Sequence, residues 1–176
     1  MRNRNALRIL IGVFCLLSLC VGMQEAAAAD YQELRAANGG RIAQAQRFIT
    51  TVKPAVIFTF GGLSKQEPLD EILTEMQRQG MHGTFFVTER EIQRNGDNIA
   101  RIVAAGQDLG IGVRPEEGAD FDAYCAQIER IQTALRTRWG VETNVVRQMS
   151  GAEEEAIGEA VSAMGCVLVS QSVNIV

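Results

Sequence analysis

The sequence predicts an α/β fold built on a parallel sheet, and three observations carry that prediction. From Ala55 onward, short runs rich in apolar, β-branched and aromatic residues alternate with segments of helical periodicity. The first of these runs is almost continuously apolar, as a strand covered on both faces should be. The helical segments carry capping-box spacings at their starts and glycines at their ends. Strict alternation of the two element types gives parallel neighbours. Periodicity does not separate an open doubly wound sheet from a barrel.

The elements follow in order. Strand one is Ala55–Phe60. Helix one runs from about Pro68 to Gln79, with Ser64 and Glu67 at capping-box spacing before it and Gly80 closing it. Strand two is Met81–Val87. Thr88 and Glu91 repeat the capping-box spacing, Asn95-Gly96 reads as a turn, and a short helix over Asn98–Ala105 ends at Gly106. Strand three is Gln107–Val113. In the long segment that follows, Phe121, Cys125, Ile128, Ile131, Leu135 and Trp139 recur at steps of three and four, which places them on one helix face. Strand four is Asn144–Arg147. Ser150 and Glu153 predict the cap of a helix running to Met164, with first-turn charge from Glu153-Glu154-Glu155, and Gly165 closes it. Strand five is Cys166–Ser170.

Residues 1–29 read as a signal peptide. Arg2, Arg4 and Arg8 precede a fifteen-residue apolar run, Ile9–Met23, which is short for a membrane span and suits a signal h-region. Small residues follow, with cleavage expected after Ala28 or Ala29. An uncleaved segment would be the one route to membrane attachment. The protein is therefore expected to be exported, to the cell envelope or beyond. Residues 30–53 read as a helical lead-in broken near Asn38-Gly39-Gly40, and residues 54–176 as the domain.

Without residues 1–29 the chain carries 14 basic and 20 acidic residues, a net charge of −6. An acidic surface argues against nucleic acid and anionic membrane as partners. Cys125 and Cys166 are the cysteines of the domain. Both lie in apolar patterns and are expected to be buried free thiols, although export would permit a disulfide.

The stretch AVIFTFGGLSKQEPLDEILTEMQRQGMHGTFFV, Ala55 to Val87, resembles the opening of the polysaccharide deacetylase (NodB homology) family. That family reads TFDD after its first strand and ATFFV in its second. The resemblance extends over about Val56–Val176. It implies a distorted (β/α) barrel, here incomplete at about five strand–helix units where the family has about seven. It also implies removal of acetyl groups from cell-envelope glycans at a divalent metal such as zinc, held by one Asp and two His. Such a metal would lower the pKa of a bound water and polarise the acyl carbonyl, while a carboxylate takes the proton.

Residue by residue, that chemistry is missing. The family's base aspartate aligns with Gly61 and its metal-binding aspartate with Gly62. Gly106-Gln107-Asp108-Leu109-Gly110-Ile111-Gly112 keeps the frame of the third-strand motif, and its two metal histidines align with Gly112 and Glu116. Arg147-Gln148-Met149-Ser150-Gly151 stands for RPPYG and retains the Arg and the Gly. Gln171–Ile175 stands where a later acidic motif belongs. The sole histidine, His82, opens strand two, at the end of the barrel away from the expected site.

Asp108, Glu116 and Glu117 offer oxygen ligands for a hard cation, but Glu116-Glu117-Gly118 reads more simply as a solvated loop. Gly61-Gly62 lacks the wider pattern of a phosphate loop. Arg147 is expected either to contact a sugar or acidic group or to bond loop carbonyls. Trp139 reads as core rather than as a sugar platform. The resemblance thus predicts an exported domain in envelope-glycan metabolism without catalysis or a metal cofactor, with glycan as its partner. The alternatives are an acetyl-removing carbon–nitrogen hydrolase with a rearranged site, or a non-functional truncated product.

Overall fold

The computed structural model describes residues 31–48, 56–62 and 66–172. The expected signal peptide, the start of strand one, Ser64 of the first expected cap and residues 173–176 lie outside the described residues. A helix over residues 31–38 (α1) is followed by β1 (Phe58–Gly61), α2 (Gln66–Gln79), β2 (Gly83–Val87), α3 (Glu89–Arg94), α4 (Gly96–Ala104), β3 (Asp108–Val113), α5 (Phe121–Trp139), β4 (Val145–Gln148), α6 (Glu155–Ala163) and β5 (Val167–Leu168).

The five strands form one parallel sheet in the order β1-β2-β3-β4-β5. This order has no reversal, so connections of the usual hand carry every helix to the same face. A doubly wound sheet needs a switch point, and there is none here. The packing agrees. Phe85, Val87, Leu109, Ile111, Val113, Val146 and Leu168 alternate along the strands and share one core with Ile99, Ile102, Ile128, Ile131, Leu135 and Ile157 from the helices. The fold is an unclosed arc of a (β/α) barrel, with β1 and β5 not paired to each other among the described residues.

The expected face of α5 is largely the observed one. Phe121, Cys125, Ile128, Ile131 and Leu135 are buried, and Trp139 packs partly buried against the core. Asp120 caps the helix through its carboxylate, and Gly140 at φ 67° ends it in the left-handed conformation. The Thr88–Glu91 capping box forms with both of its reciprocal bonds. Asn95 then joins two helices, and Gly96 is the first residue of α4 rather than part of a free turn.

Further expectations fail. Val56 and Ile57, expected inside a first strand covered on both faces, precede β1 and are exposed. Ser150 and Glu153 do not cap α6, which starts later, at Glu155, with no side-chain cap from Glu154. The backbone N–H of Glu154 is instead met by Gln148 Oε1 at 3.0 Å, and Glu153 is drawn off to Arg47 at 2.7 Å. A tertiary acceptor and a tertiary ion pair have displaced the local cap.

The lead-in is helical only to residue 38, and residues 41–48 form no helix. Gly39 and Gly40, both at positive φ, turn the chain. Gln46 then pairs in parallel with Val169. Its N–H donates to Leu168 O at 2.9 Å and its carbonyl accepts from Ser170 N–H at 3.0 Å. The helical pattern was overridden because these backbone groups found partners on the free edge of β5. The lead-in is also tied to the later helices, by Ala43 N–H to Gly158 O at 2.9 Å and, from α1, by Arg35 to Glu159 at 2.9 Å and Tyr31 to Glu129.

Candidate functional site

In a barrel, chemistry belongs at the C-terminal ends of the strands, on the side that the helices do not cover. Gly61, Phe86 and Gly110 lie in one row across β1, β2 and β3, and Gly112 pairs with Arg147 further along. Phe86 is fully buried yet lies outside the helix-side core. Its ring rests on Gly110, where a Cβ would approach Phe86 Cε1 to 2.5 Å. The glycine is what lets an aromatic floor lie flat on the sheet.

Met149 occupies the space above. Its N–H donates to Val113 O at 2.9 Å, which extends β4 beside β3. Its side chain then reaches across the strand ends. A Cβ at Gly112 would come within 3.0 Å of its Sδ and 3.1 Å of its Cγ, and a Cβ at Gly61 within 2.7 Å of its Cε. The two glycines on β1 and β3 form the two sides of a slot, and the thioether fills it. Gly62, next along, is exposed with φ 87°, a conformation that side chains other than glycine rarely adopt.

The remaining expected residues are placed as follows. Glu116 lies in the β3–α5 loop and is turned toward α5. Gln127 Nε2 donates to its Oε1 at 3.1 Å, and its own N–H donates to the Tyr124 hydroxyl at 3.2 Å. That hydroxyl donates to Glu154 at 2.6 Å, and its pKa is raised by burial and by this bond. Asp108 begins β3, so it sits at the opposite end of the strand from Glu116, and the expected grouping of Asp108 with Glu116 and Glu117 does not form. His82 is exposed just before β2, with Nδ1 3.2 Å from Gly106 O, also at the far end.

Arg147 projects over the floor. Its Nη1 donates to Thr59 Oγ1 at 3.2 Å, across to β1, and its Nη2 donates to Gln171 Oε1. Its Cζ lies 5.8 Å from the centre of the Phe86 ring. Both acceptors are side chains, so the expectation of bonds to loop carbonyls is corrected. Burial lowers the Arg147 pKa from its ordinary value. Beside it opens a groove of about 620 Å³, with Ala45 and Arg47 of the lead-in on one wall and Ser150, Glu153 and Gln171 among the others.

These residues do not fit a divalent metal. Glycines at 61, 62 and 112 supply no donor atom, and the space between two of them holds a thioether, a weak ligand for hard cations. Among the described residues, no three His, Cys, Asp or Glu side chains converge. Cys125 and Cys166 are buried free thiols on the helix side.

Sequence reasoning missed Met149, Phe86 and the groove. The motif that contains Met149 was in view, but only its arginine and its final glycine match the family pattern. An apolar residue in place of proline, together with two glycines in place of ligands, was the available signal. It requires knowing that β1, β3 and β4 converge.

Comparison with known proteins agrees with the fold. No curated protein matches the chain. Among solved structures, the chain is similar to a mutant of a CE4 family pseudoenzyme from Bacillus anthracis with restored enzymatic activity. The TM-score is 0.59 at 18% identity, over 65% of this chain and 43% of that one. It is similar to a family 4 carbohydrate esterase from Bacillus anthracis, with a TM-score of 0.54 at 21% identity, over 80% of this chain and 67% of that one. It is also similar to a peptidoglycan deacetylase from Bacillus subtilis, with a TM-score of 0.54 at 20% identity, over 65% of this chain and 57% of that one. The chain thus spans under half the length of the first of these. The polysaccharide deacetylase family profile matches residues 49–169, well over half of the sequence. With the five-strand parallel arc, this match shows that the chain belongs to the polysaccharide deacetylase family.

Proposed function

We propose that this chain is an exported member of the family that engages cell-envelope glycan without deacetylating it. One observation carries the reading: the Met149 side chain fills the slot between Gly61 and Gly112, the positions that the resemblance aligns with the base aspartate and a metal histidine. A chain that had only lost its ligands would leave a polar hollow open to water. Here an apolar side chain reaches into the hollow, and a metal-bound water or an acetyl carbonyl would have to displace it. Solved relatives described as a pseudoenzyme and as a peptidoglycan deacetylase support a silent member acting at the envelope. The export expectation rests on residues 1–29. No helix among the described residues is long and apolar enough to cross a membrane.

The test is metal content and zinc titration calorimetry on the purified protein, with acetate release from chitin oligomers and peptidoglycan. No stoichiometric metal and no acetate above background is the expected result. Stoichiometric zinc with acetate release would establish a rearranged enzyme and overturn the proposal.

A further inference from the structure

The groove beside Arg147 carries one uncompensated positive charge. Arg47 and Glu153, on its walls, neutralise each other at 2.7 Å. Arg147 has no carboxylate at ion-pair distance among the described residues, and both of its hydrogen-bond acceptors are neutral. A guanidinium has five N–H donors, and these two bonds use two of them. Burial disfavours its charged form, so an anion docked there would recover electrostatic energy that the protein itself does not supply. The arginine fork matches a carboxylate in two parallel bonds. The groove, at about 620 Å³, falls in the range of small-molecule sites, and the hydroxyls of Ser150 and Ser170 line it as further polar contacts. The chain as a whole is acidic, so this cation is a local feature against the general field.

We propose that this groove binds an acidic saccharide, one that carries a uronic acid carboxylate, with the carboxylate held by Arg147. The inference rests on the glycan-binding reading above and adds the charge class of the glycan. The groove adjoins the Met149 slot, since Met149 lines it, but the carboxylate would be held by Arg147 rather than at positions 61, 62 or 112.

Calorimetry on the intact mature protein tests it with three probes: a galacturonate oligomer, its methyl ester, and a neutral chitin oligomer of equal length. The acidic oligomer is expected to bind. Esterification, which removes the charge and keeps the shape, should weaken binding by about tenfold or more, as the loss of a charge-assisted bidentate contact does. Arg147→Gln should weaken the acidic oligomer to the same degree and leave the ester unchanged, with Arg147→Lys between. The ester comparison needs no variant, so it stands even where Arg147→Gln does not fold. Equal binding of acid and ester, or of acid and chitin oligomer, would overturn the acidic site and leave glycan binding intact. Binding of none of the three at millimolar concentration would overturn both.

Discussion

The terminal methyl of Met149 lies 2.7 Å from the point where a Cβ on Gly61 would stand. A side chain at residue 61 would therefore have to displace the far end of Met149. The same side chain presses on residue 112, where an added Cβ would also meet Thr88 Cγ2 at 3.1 Å.

Rebuilding the family's ligands by Gly61→Asp, Gly62→Asp, Gly112→His and Glu116→His is accordingly expected to give weak zinc binding. Met149 must leave its slot, Glu116 must release Gln127, and residue 62 must accept a left-handed backbone at roughly 1–2 kcal/mol. Adding Met149→Ala should tighten zinc by about tenfold or more, the scale on which supporting residues alter metal affinity. Titration calorimetry of the two variants decides it. Equal affinities would show that the methionine moves aside freely.

Gly158 on α6 lies under the lead-in. A Cβ there would meet Ile42 Cγ2 at 2.7 Å and Ala43 O at 3.1 Å. Gly158→Ala should destabilise the protein by about 1–3 kcal/mol, the usual range for overpacking, despite the better helix propensity of alanine. Urea denaturation measures this. Ile42→Ala in the same chain should return part of the loss, because it removes the nearer atom. A neutral Gly158→Ala would mean that the lead-in is loosely held.

Residues 54–176, the domain as the sequence delimits it, should not behave as an independent unit. Removing the lead-in would bare the edge of β5 that Gln46 now covers and break the Arg35–Glu159 and Ala43–Gly158 contacts. Chromatography and thermal melting should show self-association or a lowered midpoint relative to residues 30–176. A monomer with an unchanged midpoint would place the boundary back at residue 54.

Alkaline pH should destabilise the fold. Burial, aided by Asp122, Glu159 and Glu129, pushes the Cys125 thiol up to about 12 from an ordinary 9.0. The folded state thus holds the proton more tightly than the unfolded state. This contribution is complete below pH 9.0 and is lost as pH rises toward 12. Tyr31 and Tyr124, both raised chiefly by burial, act in the same direction above 10.0. Melting midpoints should fall from pH 9 upward, and Cys125→Ala should flatten the first part of that slope. An unchanged slope in the variant would exclude the thiol as its source.

The sequence by itself determined the kinds of element and their order. The apolar runs of strands two and three, the α5 stripe from Phe121 to Leu135, and the Thr88–Glu91 cap are local patterns with local causes, and each formed largely as expected. The glycines at positions 61, 62 and 112 are likewise plain in the sequence, and they bring no ligating side chain wherever the backbone goes. What only the tertiary structure decided depends on groups far apart in the chain. Gln46 became extended because β5 offered it backbone partners, and α6 started late because Gln148 met the N–H of Glu154 and Arg47 took Glu153. Met149 reached a slot whose sides are β1 and β3, and Arg147 crossed from β4 to Thr59. Periodicity and capping act over a few residues. Which strand ends converge, and which side chain fills the space between them, is set by packing across the whole sheet.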